Sequence, residues 1–343
     1  MKLVMTLLVR DEADIVDAQI AFHLHAGVDL VIATDNRSSD GTTEILERYE
    51  RGGVLQLLHE EGDDMRQDEW VTRMARLAAT EHGADWVMNS DADEFWWPRG
   101  GSLKDVLATI PERYGVVRGC WRHYLPRPDD GAFFAERMIV RLNEPAFPGD
   151  KRTIFHAHQK VAHRAVPGVE IEAGNHNALG AVLEPVRAWH PIEVLHFSFR
   201  SPAQIERKAR GGWVRNDDYE PTLHQLLLDE ALHEGRAEAF YDSFVVTDAE
   251  LERGLSEGTL ALDTRLRDAL RDIGDGEGGF VLPESTESSA LAFPRPDVLE
   301  DAAYAAEASV LVEIDGFVRA ESRVDALEER LAALEGRPLA RWP

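Results

Sequence analysis

This chain's sequence predicts an α/β architecture, a parallel sheet covered by helices on both faces. Three observations predict it. Short apolar runs alternate with helix-patterned segments through the first hundred or so residues. The runs are rich in Val, Ile and Leu with little polar alternation, as in strands buried on both faces. The connections are short, so strand and helix follow one another as in parallel crossover units.

The first strand is "KLVMTLLV". In "EADIVDAQIAFHLHAGV", Ile15, Ala18, Ile20, Phe22 and Leu24 recur at roughly helical spacing and Gly27 closes the helix. "DLVIAT" is the second strand and "NRSSDG" a turn, with Asp40 placed to cap the helix "GTTEILERYERGG", which stops at a glycine pair. "VLQLLH" is the third strand, "DMRQDEWVTRMARLAATEHGA" a long amphipathic helix and "DWVMNSD" the fourth strand.

From about residue 116 to 200, aromatic, Pro and His residues are frequent and apolar runs short. The segments "GVVRGCWRHYL", "KRTIFHAHQKVAHRA" and "EVLHFSF" predict strands, several antiparallel, extending the first sheet. "SPAQIERKARGGW" begins as a helix capped by Ser201, with Pro202 in its first turn. Residues 216–300 are acidic and partly helical, with "GDGEGG" and "PESTESSALAFPRP" as flexible links. The tail, 301–343, is helical through about residue 336. Phe317, Val324, Leu327, Leu331 and Leu334 suit either a helix packed on the domain or a short coiled coil pairing two copies.

Composition narrows the function. With 37 basic against 63 acidic residues the formal charge is -26, which argues against a nucleic-acid binder. It leaves open a phosphorylated small molecule, because local cations and a metal override the global field. A single cysteine, Cys120, excludes an internal disulfide and a Cys-rich zinc site and suits a cytoplasmic setting. The N-terminal apolar run is interrupted by Arg10-Asp11-Glu12, too early for a signal peptide, and no segment approaches a membrane span.

The stretch "WVMNSDADEFWW" places Asp91, Asp93 and Glu94 at the end of a buried strand. Carboxylates crowded there are costly unless a cation offsets them. In an extended segment Asp91 and Asp93, two apart, share a side. At the carboxyl edge of a parallel sheet they lie where open α/β folds bind ligands. Hard oxygen ligands favour Mg²⁺ or Mn²⁺. Solvated loop carboxylates also match Asp-x-Asp, and the apolar flanks are what raise this one above them. The second strand ends in Asp35-Asn36 and the first in Arg10, Asp11 and Glu12, so three strands deliver polar residues to one rim. Ser38, Ser39, Asp40 and Gly41 are fully explained by a turn and helix start.

The set "LLVRDEADIV", "ATDNRSSDGT" and "NSDADEFW" resembles the family 2 glycosyltransferases with the GT-A fold. Within them it is most similar to the branch with Val-Arg-Asn-Glu and Asp-x-Asp-Glu-Phe motifs. The likeness covers roughly residues 1–210, with Asp11 where Asn is usual and Arg37 where Gly is usual. It implies a Rossmann-like mixed central sheet flanked by helices, with a C-terminal helical extension. The catalytic domain would span 1–215, its nucleotide-sugar half about 1–115 and its acceptor half about 116–215.

By that resemblance Arg10, Glu12, Asp35 and Asn36 would line the nucleoside site. Asp91 would contact ribose or metal, and Asp93 would ligate Mn²⁺ or Mg²⁺ on the donor diphosphate. "VLHFSFRSPAQIERK" offers His196 as a late metal ligand, with His176 in "GNHNAL" competing, while Arg200 and Lys208 would offset diphosphate charge. The reaction implied is transfer of a sugar, with inversion, from a nucleoside diphosphate to a hydroxyl of a glycan or other acceptor. Glu94, Asp150, Glu172, Asp217 and His176 are all eligible as the base, and Asp93 completes the catalytic set. Trp96, Trp97, Trp121, His123 and Tyr124 would form either an acceptor wall or core. Arg66, Gln67, Trp70 and Arg73 share adjoining helical turns that read as amphipathic packing, with a reach of one of them to the donor as the alternative. Lys160 reads as an exposed strand lysine, with contact to acceptor or phosphate as the alternative.

Two rivals stay open on the residues alone. An Asp-nucleophile phosphotransferase expects its Asp-x-Asp on the first strand, and here it stands on the fourth. A binding protein without turnover would keep the same rim. A dehydrogenase is excluded by the missing G-x-G-x-x-G.

Overall fold

The computed structural model of the 343-residue chain describes residues 1–62, 66–143, 155, 158–180, 183–187, 189–210, 223–286, 291–298 and 300–310. The first half runs β1 (Leu3–Val9), α1 (Val16–His25), β2 (Leu30–Asp35), α2 (Thr42–Arg51), β3 (Leu55–His59), α3 (Gln67–Thr80), β4 (Trp86–Asp91) and β5 (Glu94–Pro98). Next come α4 (Leu103–Ala108), β6 (Val116–His123), α5 (Phe134–Arg137), β7 (Val140–Leu142), β8 (Gln159–Arg164), β9 (Glu170–Ile171), β10 (Ala178–Leu179) and β11 (Ile192–His196). The remainder is α6 (Pro202–Arg210), α7 (Leu223–His233), α8 (Ala237–Asp242), α9 (Asp248–Glu257), β12 (Leu260–Leu262), α10 (Arg265–Asp272) and a helical stretch at 300–310.

The fold is α/β, with a mixed eight-stranded sheet in the order β3-β2-β1-β4-β8-β6-β11-β5. The first four strands in that order are parallel, β8 runs antiparallel to β4 and β6, β11 is parallel to β6, and β5 is antiparallel to β11. Alternate residues of β1 enter two cores, as a strand covered on both faces requires. Leu3, Met5, Leu7 and Val9 pack with α1, whereas Val4 and Leu8 pack with Trp70, Val71, Met74 and Ala75 of α3.

Half of the sheet is curled. β4 and β5 are four strand steps apart in the hydrogen-bonded order, about 19 Å in a flat sheet at ~4.8 Å a step. Yet only Ala92 and Asp93 separate them, and three residue steps reach no more than about 11 Å. The strands between must therefore roll so that β5 returns beside the end of β4. The inside of the roll is tight at Gly119, where a Cβ would lie 2.7 Å from Val194 Cγ2 and 3.6 Å from the Trp96 ring.

Several sequence expectations change in three dimensions. Asp40 is not the N-cap of α2. Gly41 holds that place at φ 104, and Asp40 instead accepts from Thr42 N at 3.1 Å and from Ala13 N at 3.0 Å. Ser201 does cap α6, its Oγ accepting from Gln204 N at 3.1 Å. "GDGEGG" is a closed turn rather than a link: Gly274 bridges Phe280, and Asp275 Oδ1 accepts from Glu277 N and Gly279 N. In the other supposed link Leu291 and Phe293 are buried, Phe293 edge-on to Trp97 at 5.0 Å. β12 pairs with β7, which ties the acidic segment to the sheet-bearing part of the chain.

The helical stretch at 300–310 lies over the outer face of the curl, where Tyr304 and Ala308 pack on Cys120. Beneath it Glu193 gathers Arg99, Arg122 and Arg265 at 3.2, 2.8 and 2.7 Å. The coiled-coil positions from Phe317 onward lie outside the described residues. Among the described residues no helix is long and apolar enough to cross a membrane.

Candidate active site

One rim collects the carboxyl ends of β1, β2, β4, β6 and β11 with the amino ends of the antiparallel β8 and β5. Polar residues that the sequence scatters from Arg10 to Lys208 therefore share an edge. The same location follows from the general behaviour of open α/β sheets.

The first two strand ends are locked by local hydrogen bonds. Asp11 and Arg37 both take left-handed backbone, at φ 54 and φ 60. These are the two positions at which the sequence departs from the motifs it resembles, and the Asn and Gly of those motifs both enter that region easily. The departures thus keep the turn's conformation and add strain at Arg37. Asp11 Oδ1 accepts from Ser39 N at 2.7 Å, and Asp35 accepts from Ser38 N at 3.0 Å and Thr43 Oγ1 at 2.5 Å. Asn36 joins three segments, accepting from Arg10 Nη1 at 3.3 Å and donating to the carbonyls of Glu60 and Gly62 at 3.2 and 2.9 Å.

At Asp91-Ala92-Asp93 the extended alternation does not carry through. Asp91 ends β4, Ala92 and Asp93 form the turn, and the two carboxylates meet different partners. Asp91 Oδ2 pairs with Lys160 Nζ, and its Oδ1 accepts from Asn175 Nδ2 at 2.9 Å and Gln67 Nε2 at 3.4 Å. Asp93 Oδ2 lies 3.8 Å from His196 Nε2 and 3.7 Å from Lys208 Nζ. Burial opposes ionisation of Asp93, but Lys208, His196, Arg200 and Lys160 outweigh it and hold the carboxyl well below its usual range.

Glu94 is fully buried. It accepts from Trp121 Nε1 at 2.7 Å and Asp91 N at 3.0 Å, with Lys160 Nζ at 3.1 Å. Burial pushes its carboxyl up to about 8, against the pull of Lys160 and helped by Asp91 and Asp93. Both oxygens are engaged within the protein. Lys160 is not the exposed lysine that the sequence predicts: its side chain is 1% exposed and lies 5.4 Å from the Trp121 ring centre. Burial opposes its charge, and the two flanking carboxylates reverse that and raise its pKa.

Arg200 is equally buried. Its guanidinium contacts Glu12 at 2.5 Å and Asp14 at 2.7 Å, and Nη1 donates to Phe197 O at 3.1 Å. Glu12 also pairs with Lys208 at 3.0 Å, so α6 is tied to the loop after β1 through Glu12 and Asp14, with Arg207 on Asp14 at 3.0 Å. Lys208, its side chain about one-third exposed, is the most accessible cation beside Asp93.

Trp121 is ringed by four imidazoles: His196 stacked at 4.0 Å, with His158, His123 and His176 edge-on at 5.0, 5.4 and 5.9 Å. His158 and His176 stack on each other at 3.4 Å. Gly174 permits this, since a Cβ there would stand 2.3 Å from His176 Nε2. Trp96, Trp97 and Tyr124 are buried in the core and form no acceptor wall: Trp96 packs inside the roll by Gly119, and Trp97, on the opposite face of β5, packs against Phe22 of α1 and Phe293. Of the helix residues singled out, Gln67 reaches the motif, Arg73 pairs with Glu60 at 2.6 Å and Trp70 is core. Asp150 and Asp217 lie outside the described residues. Asn175 and His158 had no signal of their own in the sequence; only the fold brings them to the rim.

The arrangement fits a small divalent cation at Asp93 and His196. Each bond to such an ion is about 2.0–2.2 Å, so two of its ligands lie within ~4.4 Å of each other, and 3.8 Å falls inside that limit. A carboxylate held ionised beside an imidazole is also the right donor chemistry. Among the described residues no group of three or more His, Cys, Asp or Glu is arranged to hold a metal, so these two would rely on ligand or water oxygens for the remainder.

No protein-family model matches the sequence, and no curated protein matches it. Among solved structures the chain is similar to TarS from S. aureus in complex with UDP, at 12% identity over 83% of this chain and 98% of that one, with a TM-score of 0.33. TarS in complex with UDP-GlcNAc has the same identity and coverage and a TM-score of 0.34. Glucosyl-3-phosphoglycerate synthase from Mycobacterium tuberculosis, solved with Mn²⁺, UDP and glucosyl-3-phosphoglycerate, is 19% identical over 35% of this chain and 44% of that one, with a TM-score of 0.25. Likenesses at these TM-scores are loose, and what the site does is decided by the chain's own residues.

Proposed function

We propose that this protein is a glycosyltransferase moving a sugar from a nucleoside-diphosphate donor to an acceptor hydroxyl, assisted by Mn²⁺ or Mg²⁺. The observation that carries the reading is the pairing of Asp93 with His196 at the rim where β1, β2 and β4 end, beside Lys208. The three sequence motifs that resemble family 2 enzymes converge on that rim.

Asp93 and His196 would hold the divalent ion, which, when bound, offsets charge on the diphosphate leaving group. Lys208 stands where it adds a second positive charge to the same group. Arg10 faces the nucleoside end, while Asp35 and Asn36, buried and already bonded within the protein, shape that end of the rim. Arg200 and Glu12, each engaged inside the protein, fix α6 and the loop after β1 and so fix Lys208. The acceptor side is the surface of Trp121, His123, His158 and His176. Of the eligible bases in the described residues, His176 stands in that wall, whereas both oxygens of Glu94 are already engaged. Inversion is the stereochemical outcome expected for a direct displacement of this kind.

The test is release of nucleoside diphosphate from UDP-, GDP-, dTDP- and CDP-sugars with Mn²⁺, repeated with Asp93→Ala. The expected result is turnover of one donor class, lost in the variant. No turnover, together with no rise in melting temperature with any of the four nucleotides and Mn²⁺, overturns the proposal.

A further inference from the structure

Lys160 is a charged side chain buried where an apolar one would cost less, and it has no counterpart in the roles assigned above. Its ammonium bridges Asp91 and Glu94, one on the last residue of β4 and one on the first of β5. Asp91 in turn receives Asn175 from the 173–175 turn and Gln67 from the first residue of α3, while Gln67 Oε1 accepts from Gly174 N at 3.0 Å. Glu94 receives Trp121 Nε1 and Asp91 N. Lys160 therefore stands between the two ends of the Ala92–Asp93 turn and fixes how that turn presents Asp93. A buried ammonium paired with the Asp91 carboxylate is strongly coupled to it, because removing one partner leaves the other uncompensated.

We propose that Lys160 is a positioning residue, an internal cation that holds Asp91 and Glu94 so that Asp93 alone of the three carboxylates meets the metal-bound donor. Asp91 is then an anchor for Asn175 and Gln67, not a metal ligand. This rests on the glycosyltransferase reading for the identity of the donor, but the Lys160–Asp91 pairing stands on its own contacts.

The experiment uses the full chain in five forms: wild type, Asp91→Asn, Asp93→Asn, Lys160→Met and the double variant Lys160→Met/Asp91→Asn. Mn²⁺ affinity in the presence of UDP is read by electron paramagnetic resonance of free Mn²⁺. Asp91→Asn is expected to keep affinity within about threefold of wild type while lowering kcat more than it changes KM, and Asp93→Asn to weaken affinity at least tenfold. Loss of Mn²⁺ in Asp91→Asn to the same degree as in Asp93→Asn would make Asp91 a ligand and overturn the proposal. Melting temperatures supply the independent arm. Neutralising both members of the pair is expected to cost less than Lys160→Met alone, and a double variant that loses the sum of the two single changes removes the coupling. If wild type binds no Mn²⁺, the metal reading fails while this second arm still decides the role of Lys160.

Discussion

Asp93 Oδ2 lies 3.8 Å from His196 Nε2, which links the turn after β4 to the last residue of β11. Neither residue is near the other in sequence, and the curl of the sheet is what brings them together. His196 is further fixed by stacking on Trp121 and by a 3.2 Å contact of its Nδ1 with His123 Nδ1.

If this pair holds the cation, His196→Gln should weaken Mn²⁺ binding about tenfold and lower donor turnover, since an amide is a poorer ligand than a neutral imidazole. Turnover measured against Mn²⁺ concentration checks it, and partial recovery at high Mn²⁺ is expected. An unchanged metal dependence would remove His196 from the site.

Arg37 holds φ 60 in the turn after β2. Left-handed backbone costs a residue with a Cβ about 1–2 kcal/mol, and glycine takes it without that penalty. Arg37→Gly should therefore stabilise the chain by up to about 1 kcal/mol, after the entropy that glycine gains in the unfolded state is subtracted. Urea unfolding of the two proteins measures it. A loss of stability would mean that the Arg37 side chain contributes more than its backbone strain removes.

The protein should lose stability on acidification below about pH 6.5, because two buried histidines are held neutral. His23 Nδ1 donates to Gln19 O at 2.7 Å and its Nε2 accepts from Trp96 N at 3.1 Å, so a second ring proton would face an N–H. Burial lowers both His23 and His163 to about 4. Between about pH 6.5 and 4 the unfolded chain binds protons that the folded chain refuses. Each histidine thus makes stability fall by roughly 1.4 kcal/mol per pH unit as pH drops. Glu94, raised to about 8, binds its proton in the fold and works in the opposite sense from about 4.5 to 8. His190, also lowered, sides with the other two histidines. The balance is a net loss toward acid, checked by urea melts at pH 7, 6 and 5. A His163→Gln chain with an unchanged pH slope would show that this imidazole is not among the groups that cause it.

Much of the first half was legible in the sequence for a simple reason. A strand buried on both faces must be apolar along its whole length, and a covering helix must repeat its apolar stripe, so β1 to β4 and the helices between them are written locally. The same holds for the polar strand ends at Arg10, Asp35 and Asp91, since parallel strands in one sheet end on one edge. What sequence alone determined is therefore the α/β class and the rim. The tertiary structure decided which carboxylate faces which cation. That Lys160 is buried against Asp91 and Glu94, that Trp96 belongs to the core, and that His158 and His176 stack beside Trp121 all follow from the roll of β4 through β5. That roll is a long-range geometric constraint, imposed by a two-residue turn between strands four steps apart, and no local pattern of residues encodes it.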